Sequence, residues 1–352
     1  MIPESNTTNI VELTKDQLVS WLKDHDIEAY RANQIMKWIY FSQADDFEIM
    51  TDIKKEIRQL LSLNFTIDRL EKKQVETSQD GSRKYLLKLF DGQCIESVLI
   101  PEKNYYTLCI SSQVGCAQGC RFCLTGKGGF VRNLTKGEIL AQVRDIMNDL
   151  DDSEKLKNIV MMGMGEPLAN YKNVVGAINT ITDDRCGLAF SKNKVTVSTA
   201  GLVPRLSDFS RDAAVNLAIS LNATDNKTRD MLMPINKKYP IEILLDACSR
   251  YRLPPRQSIM FEYILLKDIN DSPDDANRLA NLLRSIKAKI NLIPFNEHEG
   301  SEFRPPEEDV INNFREILRK NNYIVITRRS KGRDISAACG QLRVRTAISN
   351  NA

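Results

Sequence analysis

The sequence is poor in histidine and contains no long apolar segment. Its 352 residues include two histidines, His25 and His298, which are too few for a histidine-rich metal site. No apolar run approaches the ~20 residues that a membrane-spanning helix requires. The opening residues, MIPESNTTNIVEL, carry neither the basic segment nor the apolar core of a secretory signal. We therefore expect a cytoplasmic protein with no membrane partner, in which thiols stay reduced.

A large excess of charge of one sign is also missing. Lysine and arginine number 49 and aspartate and glutamate number 46, which gives a net charge of +3. This small excess permits a nucleic-acid partner without demonstrating one. A hydrophobic content of 42% is ordinary, and a chain of this length can bury a large core without disulfides. Eight cysteines in a reducing compartment therefore point to metal binding or catalysis.

Helical spacing dominates the first part of the chain, and strand spacing follows. Thr14 and Gln17 stand three residues apart, as in a capping box, and apolar residues continue after them at helical spacing. Residues 84–100 then read KYLLKLFDGQCIESVLI, where two strand-like runs flank the pair Asp91-Gly92, which favours a hairpin turn. These patterns predict N-terminal helices and a β-hairpin extension.

An alternation of strands and helices occupies the middle of the chain. Its helices include residues 135–150, where Thr135 and Glu138 again have capping-box spacing. The six strand-like runs are YYTLCI, NIVMMG, KVTVST, VNLAIS, SIMFEYIL and KINLIP. Six β/α units predict an α/β fold whose parallel sheet forms a partial, TIM-like (β/α)6 barrel. Such barrels carry their chemistry on the loops that follow the strands.

These patterns divide the chain into four regions. We expect a small helical accessory domain first, followed by the hairpin extension and the barrel. The last region combines a helix, a strand and a glycine-rich basic loop. The predicted bounds are 1–70, 71–104, 105–300 and 301–352, in that order.

Three of the eight cysteines are gathered directly after the first barrel strand. The stretch VGCAQGCRFCLTGKGGF, residues 114–130, places Cys116, Cys120 and Cys123 at C-x3-C-x2-C spacing. A structural zinc site takes four ligands, so a zinc loop here would need a distant fourth ligand. An iron–sulfur cube is also held by thiolates, and three of them would leave one iron open. The spacing resembles the cluster loop of radical S-adenosylmethionine (SAM) enzymes, where the open iron binds SAM.

Glycine and polar residues follow the later strands. In MMGMGEPLAN, Gly165 lets a ligand approach the backbone closely, and Glu166 can accept hydrogen bonds from an ammonium group. Ser198, Ser220 and Asn222 follow the next two strands. These three side chains can bind a ribose or a carboxylate, or they can cap the next helices.

Asn296 and Cys339 lie near the end of the barrel and beyond it. Asn296 follows the sixth strand, where it can bond a nucleoside or simply form a turn. Cys339 is flanked by alanine and glycine, which leave its sulfur accessible, although a lone cysteine is more often structural. The surrounding tail, RRSKGRDISAACGQLRVR, can contact RNA phosphates or form a solvated surface. The other isolated cysteines, for which we expect structural roles, are Cys94, Cys186 and Cys248.

Four segments together resemble the RlmN family of bacterial RNA adenine C2-methyltransferases. They are CISSQVGCAQGCRFCLTG, GMGEPLAN, LMPINKKYP and DISAACGQL, and the resemblance covers nearly the whole chain. The related Cfr family, which methylates adenine C8, usually has alanine where this chain has Pro167. Two departures from the RlmN pattern are Asn222, where histidine is frequent, and the segment EHEGSEFRPP after Asn296.

The resemblance implies a reaction that uses two SAM molecules and a [4Fe-4S] cluster on the three clustered cysteines. Cys339 would take a methyl group from the first SAM. Reductive cleavage of the second SAM would give a radical that removes hydrogen from this methyl group, and the new carbon radical would add to adenine C2. Cys109 would release the product and end in a transient disulfide with Cys339. Glu96 or Cys109 would accept the C2 proton, although Glu96 alone suggests an outward-facing strand acid.

The same match implies binding sites and partners. We expect 23S rRNA as a substrate and tRNA as a second one, bound with the help of the accessory domain. We also expect a monomer that receives electrons from a donor such as flavodoxin. The implied SAM contacts are Gly165, Glu166, Ser198, Ser220, Leu221, Asn222 and Asn296. Candidate phosphate contacts, on a helix face that can equally be only solvated, are Arg31, Lys37, Lys54 and Lys55.

Three alternatives stay open at the level of sequence. A C8-specific methyltransferase would share most of the motifs. A zinc-stabilised RNA-binding module would use the cysteine loop without catalysis. A radical SAM enzyme of a small metabolite would need neither Cys339 nor the basic N-terminal helices.

Overall fold

The structure is a computed structural model that describes residues 7–253, 257–298 and 300–342. Three stretches used in the sequence analysis therefore lie partly outside the described residues. The residues that fall outside are 1–6 of the N-terminal segment, residue 299 of the segment after Asn296, and residues 343–352 of the basic tail. Within the described ranges, no helix is long and apolar enough to cross a bilayer.

The N-terminal part is helical, as the sequence predicted. Thr14 caps the first helix: its Oγ1 accepts from the Gln17 N–H, and the Gln17 side chain accepts from the Thr14 N–H. This confirms the predicted capping box. A short parallel strand pair, β1 (Thr8–Asn9) and β2 (Phe65–Thr66), packs with the helices. The helices are α1 (Lys15–Asp24), α2 (Arg31–Tyr40) and α3 (Lys55–Asn64).

A ten-stranded sheet forms the centre of the remaining chain. In chain order its first strands are β3 (Glu71–Thr77), β4 (Arg83–Lys88), β5 (Cys94–Pro101) and β6 (Tyr106–Cys109). Two short strands outside this sheet, β7 (Gln113–Gly115) and β8 (Phe130–Asn133), pair with each other. The sheet then continues with β9 (Leu156–Met161), β10 (Val195–Thr199), β11 (Asn216–Ser220), β12 (Ile259–Leu265), β13 (Ala288–Pro294) and β14 (Ile324–Thr327).

The order of this sheet is β14-β13-β12-β11-β10-β9-β6-β5-β4-β3. The strands from β14 to β6 are parallel, and those from β6 to β3 are antiparallel. The six predicted barrel strands are β6 and β9–β13, which confirms the partial barrel. The predicted hairpin is β4–β5, and it continues the barrel sheet through the pairing of β5 with β6. Strand β3 was not predicted, because its polar sequence EKKQVET carries no apolar alternation.

Helices follow most of the parallel strands and cover the sheet. Thr135 caps α5, and the Glu138 side chain accepts from the Thr135 N–H, which confirms the second predicted capping box. Buried apolar side chains from the sheet, these helices and the N-terminal helices form one core. The helices are α4 (Leu124–Lys127), α5 (Lys136–Asn148), α6 (Tyr171–Thr182), α7 (Val203–Asp212), α8 (Asn226–Leu232), α9 (Ile241–Ser249), α10 (Pro273–Leu282) and α11 (Glu308–Lys320).

Buried polar contacts join α5 to the N-terminal part. Arg144 is fully buried, and its Nη2 atom donates to Ala44 O at 3.0 Å and to Asp45 Oδ1 at 3.3 Å. Burial lowers the pKa of Arg144 to about 10. The carboxylate of Asp145 accepts from the Leu70 N–H at 2.8 Å. The N-terminal helices are therefore fixed to the barrel by specific hydrogen bonds as well as by apolar packing.

Candidate active site

The three clustered cysteines lie on the connection between β7 and β8, whose backbone is fixed at several points. The Cys116 N–H donates to Gly129 O at 2.7 Å, and the Cys123 N–H donates to Cys120 O at 3.1 Å. Gly115 has a φ of +73°, and a Cβ at this residue would lie 2.0 Å from Gly129 O. Only glycine fits there, so the path of the loop into the cysteines is tightly defined.

A cleft of about 790 Å³ lies at the carboxyl ends of the parallel strands. Clefts at this end of parallel strands are common binding sites for small molecules and cofactors. Leu221, Asn296, Cys109 and Glu96 are not among the residues that line it. The predicted site residues that do line it are Cys116, Cys120, Cys123, Gly165, Glu166, Ser198, Ser220, Asn222 and Cys339.

Burial governs the chemistry of the cysteine loop. It raises the pKa of Cys116 to about 12 and that of Cys120 well above the ordinary value, so neither thiol would ionise by itself near neutral pH. A bound metal reverses this, because a coordinating thiol is deprotonated outright. Among the described residues, no three Cys, His, Asp or Glu side chains are gathered around a single-ion site. The thiolates of a cube bind separate iron atoms, so three thiols that share one cleft fit a [4Fe-4S] cluster.

Gly165 and Glu166 form the turn after β9. Gly165 has a φ of +104°, and a Cβ there would lie 2.6 Å from the Gln113 Cβ, so glycine is required. The Glu166 carboxylate accepts from the backbone N–H groups of Leu168 at 3.0 Å and Ala200 at 2.7 Å. Burial raises the pKa of this carboxyl group. Glu166 therefore joins the ends of β9 and β10, and its contact with an ammonium group stays a prediction.

Glu262 is a buried acid of the cleft that the sequence analysis missed. It lies on β12, inside the apolar run SIMFEYIL. Its Oε2 atom accepts from Ser198 Oγ at 2.5 Å and from Ser220 Oγ at 3.3 Å. Neither serine caps the helix that follows it. An acid within an otherwise apolar strand was the signal that could have identified Glu262.

Asn222 lines the cleft, whereas its neighbour Leu221 does not. Asn222 has a φ of +58°, a conformation that asparagine tolerates better than most residues. Its Oδ1 atom accepts from the Ile264 N–H at 2.9 Å, and its Nδ2 atom lies 3.3 Å from Met233 Sδ. The Leu221 side chain belongs to the apolar core and is fully buried. A contact of Leu221 with SAM therefore stays a prediction about its backbone only.

Cys339 lies on the loop after β14, which is bonded to the cysteine loop and to the barrel. The Leu124 N–H donates to Gly340 O at 2.8 Å, directly after Cys123. The Asn296 Nδ2 atom donates to Cys339 O at 3.4 Å. Asn296 thus supports the Cys339 loop, and its expected contact with SAM stays a prediction.

A second cavity lies beside the cleft and is lined by Cys109, Met162, Arg328 and Cys339 among others. Cys339 therefore lines both cavities. Burial raises the pKa of Cys109 to about 12, against the opposing effect of the nearby Arg328 charge. In turn, the charges of Cys339 and then Cys109 raise the pKa of Arg328. The structure thus gathers two thiols, the thioether of Met162 and one guanidinium at this cavity.

All eight cysteines are free thiols. The disulfide between Cys109 and Cys339 that the resemblance implies is therefore not present in this structure. Cys186 and Cys248 are buried, and Cys94 is half-buried on β5. None of these three lines the cleft or the second cavity, in keeping with the structural roles expected for them.

Glu96 is buried on β5, so the alternative of an outward-facing acid is wrong. Its Oε1 atom lies 3.5 Å from Nζ of Lys84 on β4. Both faces of β5 are covered, which alternation in one strand could not reveal. Glu96 is not among the residues that line either cavity, and its role in proton transfer stays a prediction.

The basic residues of the N-terminal helices divide into two groups. Arg31 donates to Gln34 Oε1 at 2.8 Å and to Asp52 O at 3.1 Å, so its guanidinium is engaged within the N-terminal part. Three lysines are solvent-exposed, namely Lys37, Lys54 and Lys55. The structure is compatible with either of the two roles considered for them, phosphate contacts or a solvated face.

Comparison with known families and structures covers both parts of the chain. Residues 8–67 match the family described as ribosomal RNA large subunit methyltransferase N-terminal domain. Residues 110–280 match the radical SAM superfamily. The crystal structure of a radical SAM methyltransferase from Sphaerobacter thermophilus is 40% identical, with a TM-score of 0.89 over 96% of this chain and 100% of that one. The predicted fold and the predicted cofactors, a [4Fe-4S] cluster and SAM, are confirmed.

Curated relatives match over nearly their full length. The dual-specificity RNA methyltransferase RlmN of Desulfosudis oleivorans is 58% identical over 95% of this chain and 90% of its own length. The protein of the same name from Geobacter sulfurreducens is 52% identical over 95% of this chain and 92% of its own length. The chain therefore belongs to the RlmN family of radical SAM RNA methyltransferases.

Proposed function

We propose that the chain methylates C2 of adenine in RNA and that Cys339 carries the methyl group before its transfer. The observation that supports this most directly is the position of Cys339, which lines the cofactor cleft and also the cavity of Cys109. A sulfur atom in this position can react with SAM in the cleft and can still reach a base or a second thiol.

Adenine C2 is not a nucleophile, so it cannot displace the methyl group of SAM directly. When bound, the cluster and SAM supply one-electron cleavage of a sulfonium and hence a carbon radical that can remove hydrogen from a methyl group. The cluster would be held by Cys116, Cys120 and Cys123, and SAM by the polar residues of the same cleft. The chain itself must then position a methyl-bearing sulfur atom and a base.

The loop of Cys339 is bonded on three sides, which supports this positioning role. The Gln341 Nε2 atom donates to Glu297 O at 2.8 Å, beyond the end of β13. On another side, Lys84 Nζ donates to Ile335 O at 2.6 Å. Together with the bond from Leu124 to the residue after Cys339, these contacts restrict the sulfur to the boundary of the two cavities. Transfer between bound groups depends on such restriction.

We assign product release to Cys109. Its pKa of about 12 keeps the thiol neutral, so it does not compete with Cys339 for the methyl group of SAM. Before release, the adduct would lose one electron, which the oxidised cluster can accept, and the C2 proton, which passes to Glu96 or Cys109. A sulfur–sulfur bond then forms from the Cys109 thiolate to Cys339 while the bond from Cys339 to the transferred carbon breaks. The carbon leaves with the electron pair of that bond and takes up a proton, which completes the methyl group. The nearby Arg328 charge lowers the pKa of Cys109, against the larger effect of burial, and so assists the loss of the thiol proton that this attack requires.

The proposal includes two kinds of RNA substrate, ribosomal RNA and tRNA. The relatives from D. oleivorans and G. sulfurreducens are named dual-specificity enzymes, and the N-terminal part of this chain matches a ribosomal RNA methyltransferase domain. We therefore propose 23S rRNA and tRNA as substrates. A monomer that receives electrons from a donor such as flavodoxin completes the proposal.

Position-specific isotope labelling tests this function. The chain, reconstituted anaerobically with iron and sulfide, is supplied with SAM, a reductant and RNA whose adenines carry deuterium at C2 or, in a second sample, at C8. Mass spectrometry is expected to show methyladenine that has lost the C2 deuterium and kept the C8 deuterium. Loss of the C8 label would establish the Cfr-type alternative instead. Zinc retention without iron uptake would favour the non-catalytic module.

Two cysteine variants test the methyl carrier. Cys339→Ala is expected to make no methyladenine, because no thiol that lines both cavities remains. Cys94→Ala is the matched control, since Cys94 lines neither cavity, and it should keep activity. Methyladenine from Cys339→Ala would overturn the carrier role.

A further inference from the structure

Arg229 is a fully buried arginine whose hydrogen bonds reach the ends of two strands that border the cleft. It lies on α8, and its guanidinium spans the ends of β10 and β11. The Nη2 atom donates to Ala200 O at 2.9 Å and to Ser220 O at 3.2 Å. The Nε atom donates to Leu221 O at 3.0 Å. Ala200 and Ser220 also line the cofactor cleft, so Arg229 fixes part of its wall from behind.

The hydrogen-bond partners of this guanidinium are neutral. Besides the carbonyl groups, Nη1 donates to Asn236 Oδ1 at 2.9 Å. The neighbouring Asp230 accepts from Asn236 Nδ2 at 2.7 Å and forms no ion pair with Arg229, although its charge raises the pKa of the guanidinium. Within the part of the chain that the structure describes, Arg229 forms no ion pair with a carboxylate. Burial lowers its pKa to about 10, so the side chain still carries its charge at neutral pH.

A buried charge without an ion partner is unfavourable unless another group compensates for it. Arg144, the other fully buried arginine, has Asp45 Oδ1 at 3.3 Å. For Arg229, burial lowers the pKa, and three groups act in the opposite direction: Cys120 most strongly, then Cys248 and Asp230.

Backbone contacts place the cysteine loop against the helix of Arg229. Arg121, the residue after Cys120, donates its N–H to Leu232 O at 3.0 Å, at the end of α8. Met233, the next residue, lines the cleft together with Cys120. The loop, the helix and the cleft wall thus meet around one buried cation.

We propose that Arg229 is the counter-charge of the cluster and raises its reduction potential. This inference rests on the function proposed above only in that the three cysteines hold a [4Fe-4S] cluster. A cluster on three thiolates is a net anion, and the electron that it accepts makes it more negative. A nearby cation in a site of low dielectric attracts the reduced form more strongly than the oxidised form. Reduction therefore becomes easier, which the cleavage of SAM requires.

The test compares the chain with Arg229→Met and with Arg144→Met, which removes the other fully buried arginine at the junction with the N-terminal helices. Each protein is reconstituted with iron and sulfide, its iron content is measured, and the cluster is titrated against potential by electron paramagnetic resonance. For Arg229→Met we expect a roughly tenfold lower ratio of reduced to oxidised cluster at a given potential, which is a midpoint about 59 mV more negative. The Arg144→Met midpoint should equal that of the parent chain.

An Arg229→Met protein with full iron content and an unchanged midpoint would overturn the proposal, as would an equal shift in Arg144→Met. If Arg229→Met does not load iron, Arg229→Lys decides, because lysine keeps the positive charge but not the guanidinium fork. A parent-like midpoint in Arg229→Lys supports the counter-charge, and a tenfold shift refutes it. The proposed function fails separately: the parent cluster would then titrate normally while the RNA gains no methyladenine.

Discussion

Lys84 and Glu96 form a buried ion pair between neighbouring strands, with Lys84 Nζ 3.5 Å from Glu96 Oε1 and side-chain exposures of 9% and 6%. Lys84 also donates to Ile335 O, four residues before Cys339. A charge that sequence reasoning placed on a solvent-exposed strand face is thus connected to the proposed methyl carrier. The pair thus links the β4–β5 hairpin to the loop that carries Cys339.

Removal of Lys84 is expected to be more destabilising than removal of the Glu96 charge. Lys84→Met removes both the ion pair with Glu96 and the bond to the Ile335 carbonyl, and we expect the free energy of unfolding to fall by about 3 kcal/mol. In Glu96→Gln, Lys84 retains Glu76 at 3.5 Å and the Ile335 carbonyl, so the loss should be smaller. Urea denaturation of both variants and of the double variant measures the difference. Equal losses in the two single variants would contradict this assignment.

Cys109→Ala is expected to trap a covalent complex with RNA. In the proposed reaction, carbon–carbon bond formation to the base precedes release, so an enzyme that lacks Cys109 should stop with Cys339 attached to the nucleotide. Denaturing gel electrophoresis after a reaction with labelled RNA should show a slow-migrating species. Cys339→Ala should not form this species, because it cannot form the bond at all. If the slow band is absent from Cys109→Ala, Cys109 is not the resolving group.

The buried Cys248 thiol gives a stability change at high pH. Burial raises its pKa to about 12, above the ordinary value of about 8.5. Between these values the unfolded chain loses the thiol proton and the folded chain keeps it, so stability falls as pH rises. One such group changes the free energy of unfolding by up to about 1.4 kcal/mol per pH unit.

Cys248→Ala removes this contribution. The difference in free energy of unfolding, variant minus parent, should be constant below about pH 8. At higher pH this difference should rise steadily, by up to about 1.4 kcal/mol per pH unit. Urea denaturation at a series of pH values in reducing buffer measures this difference. A difference that does not vary with pH would show that Cys248 ionises equally in both states.

Local signals were sufficient for most elements of the fold. The capping boxes at Thr14 and Thr135, the hairpin at Asp91-Gly92 and the six apolar strands all depend on residues close in sequence. The polar edge strand β3 escaped prediction, because its pairing with β4 is not encoded by any alternation of its own. The cysteine spacing is equally local, which is why a single segment was enough to predict the cluster loop.

Contacts between distant residues limited what the sequence could reveal about the site. Ser198 and Ser220 are oriented by Glu262, which follows them by 64 and 42 positions. Arg229 reaches carbonyl groups of two different strand ends, which become neighbours only in the folded sheet. Such roles depend on strand order and register, and neither can be derived from one segment.

Glu262→Gln is expected to weaken SAM binding with little effect on the fold. The carboxylate fixes the hydroxyl groups of two cleft residues, and hydrogen bonds to a charged acceptor contribute about 1.5–3 kcal/mol each. Glutamine keeps the size of the side chain but loses the charge. We expect the dissociation constant of SAM to rise about tenfold, which corresponds to about 1.4 kcal/mol.

Glu242→Gln is the matched control for this prediction. Glu242 also accepts hydrogen bonds from a polar neighbour, Asn226 Nδ2 at 3.0 and 3.1 Å, but it lies exposed on α9 and does not line the cleft. Anaerobic calorimetric titration with SAM should therefore give parent-like binding for this variant, and thermal unfolding should be similar for both. Of the two acids, Glu262 contacts residues that line the cleft and Glu242 does not. If SAM binding weakens equally in both variants, Glu262 acts through its charge alone and not through the serine hydroxyl groups.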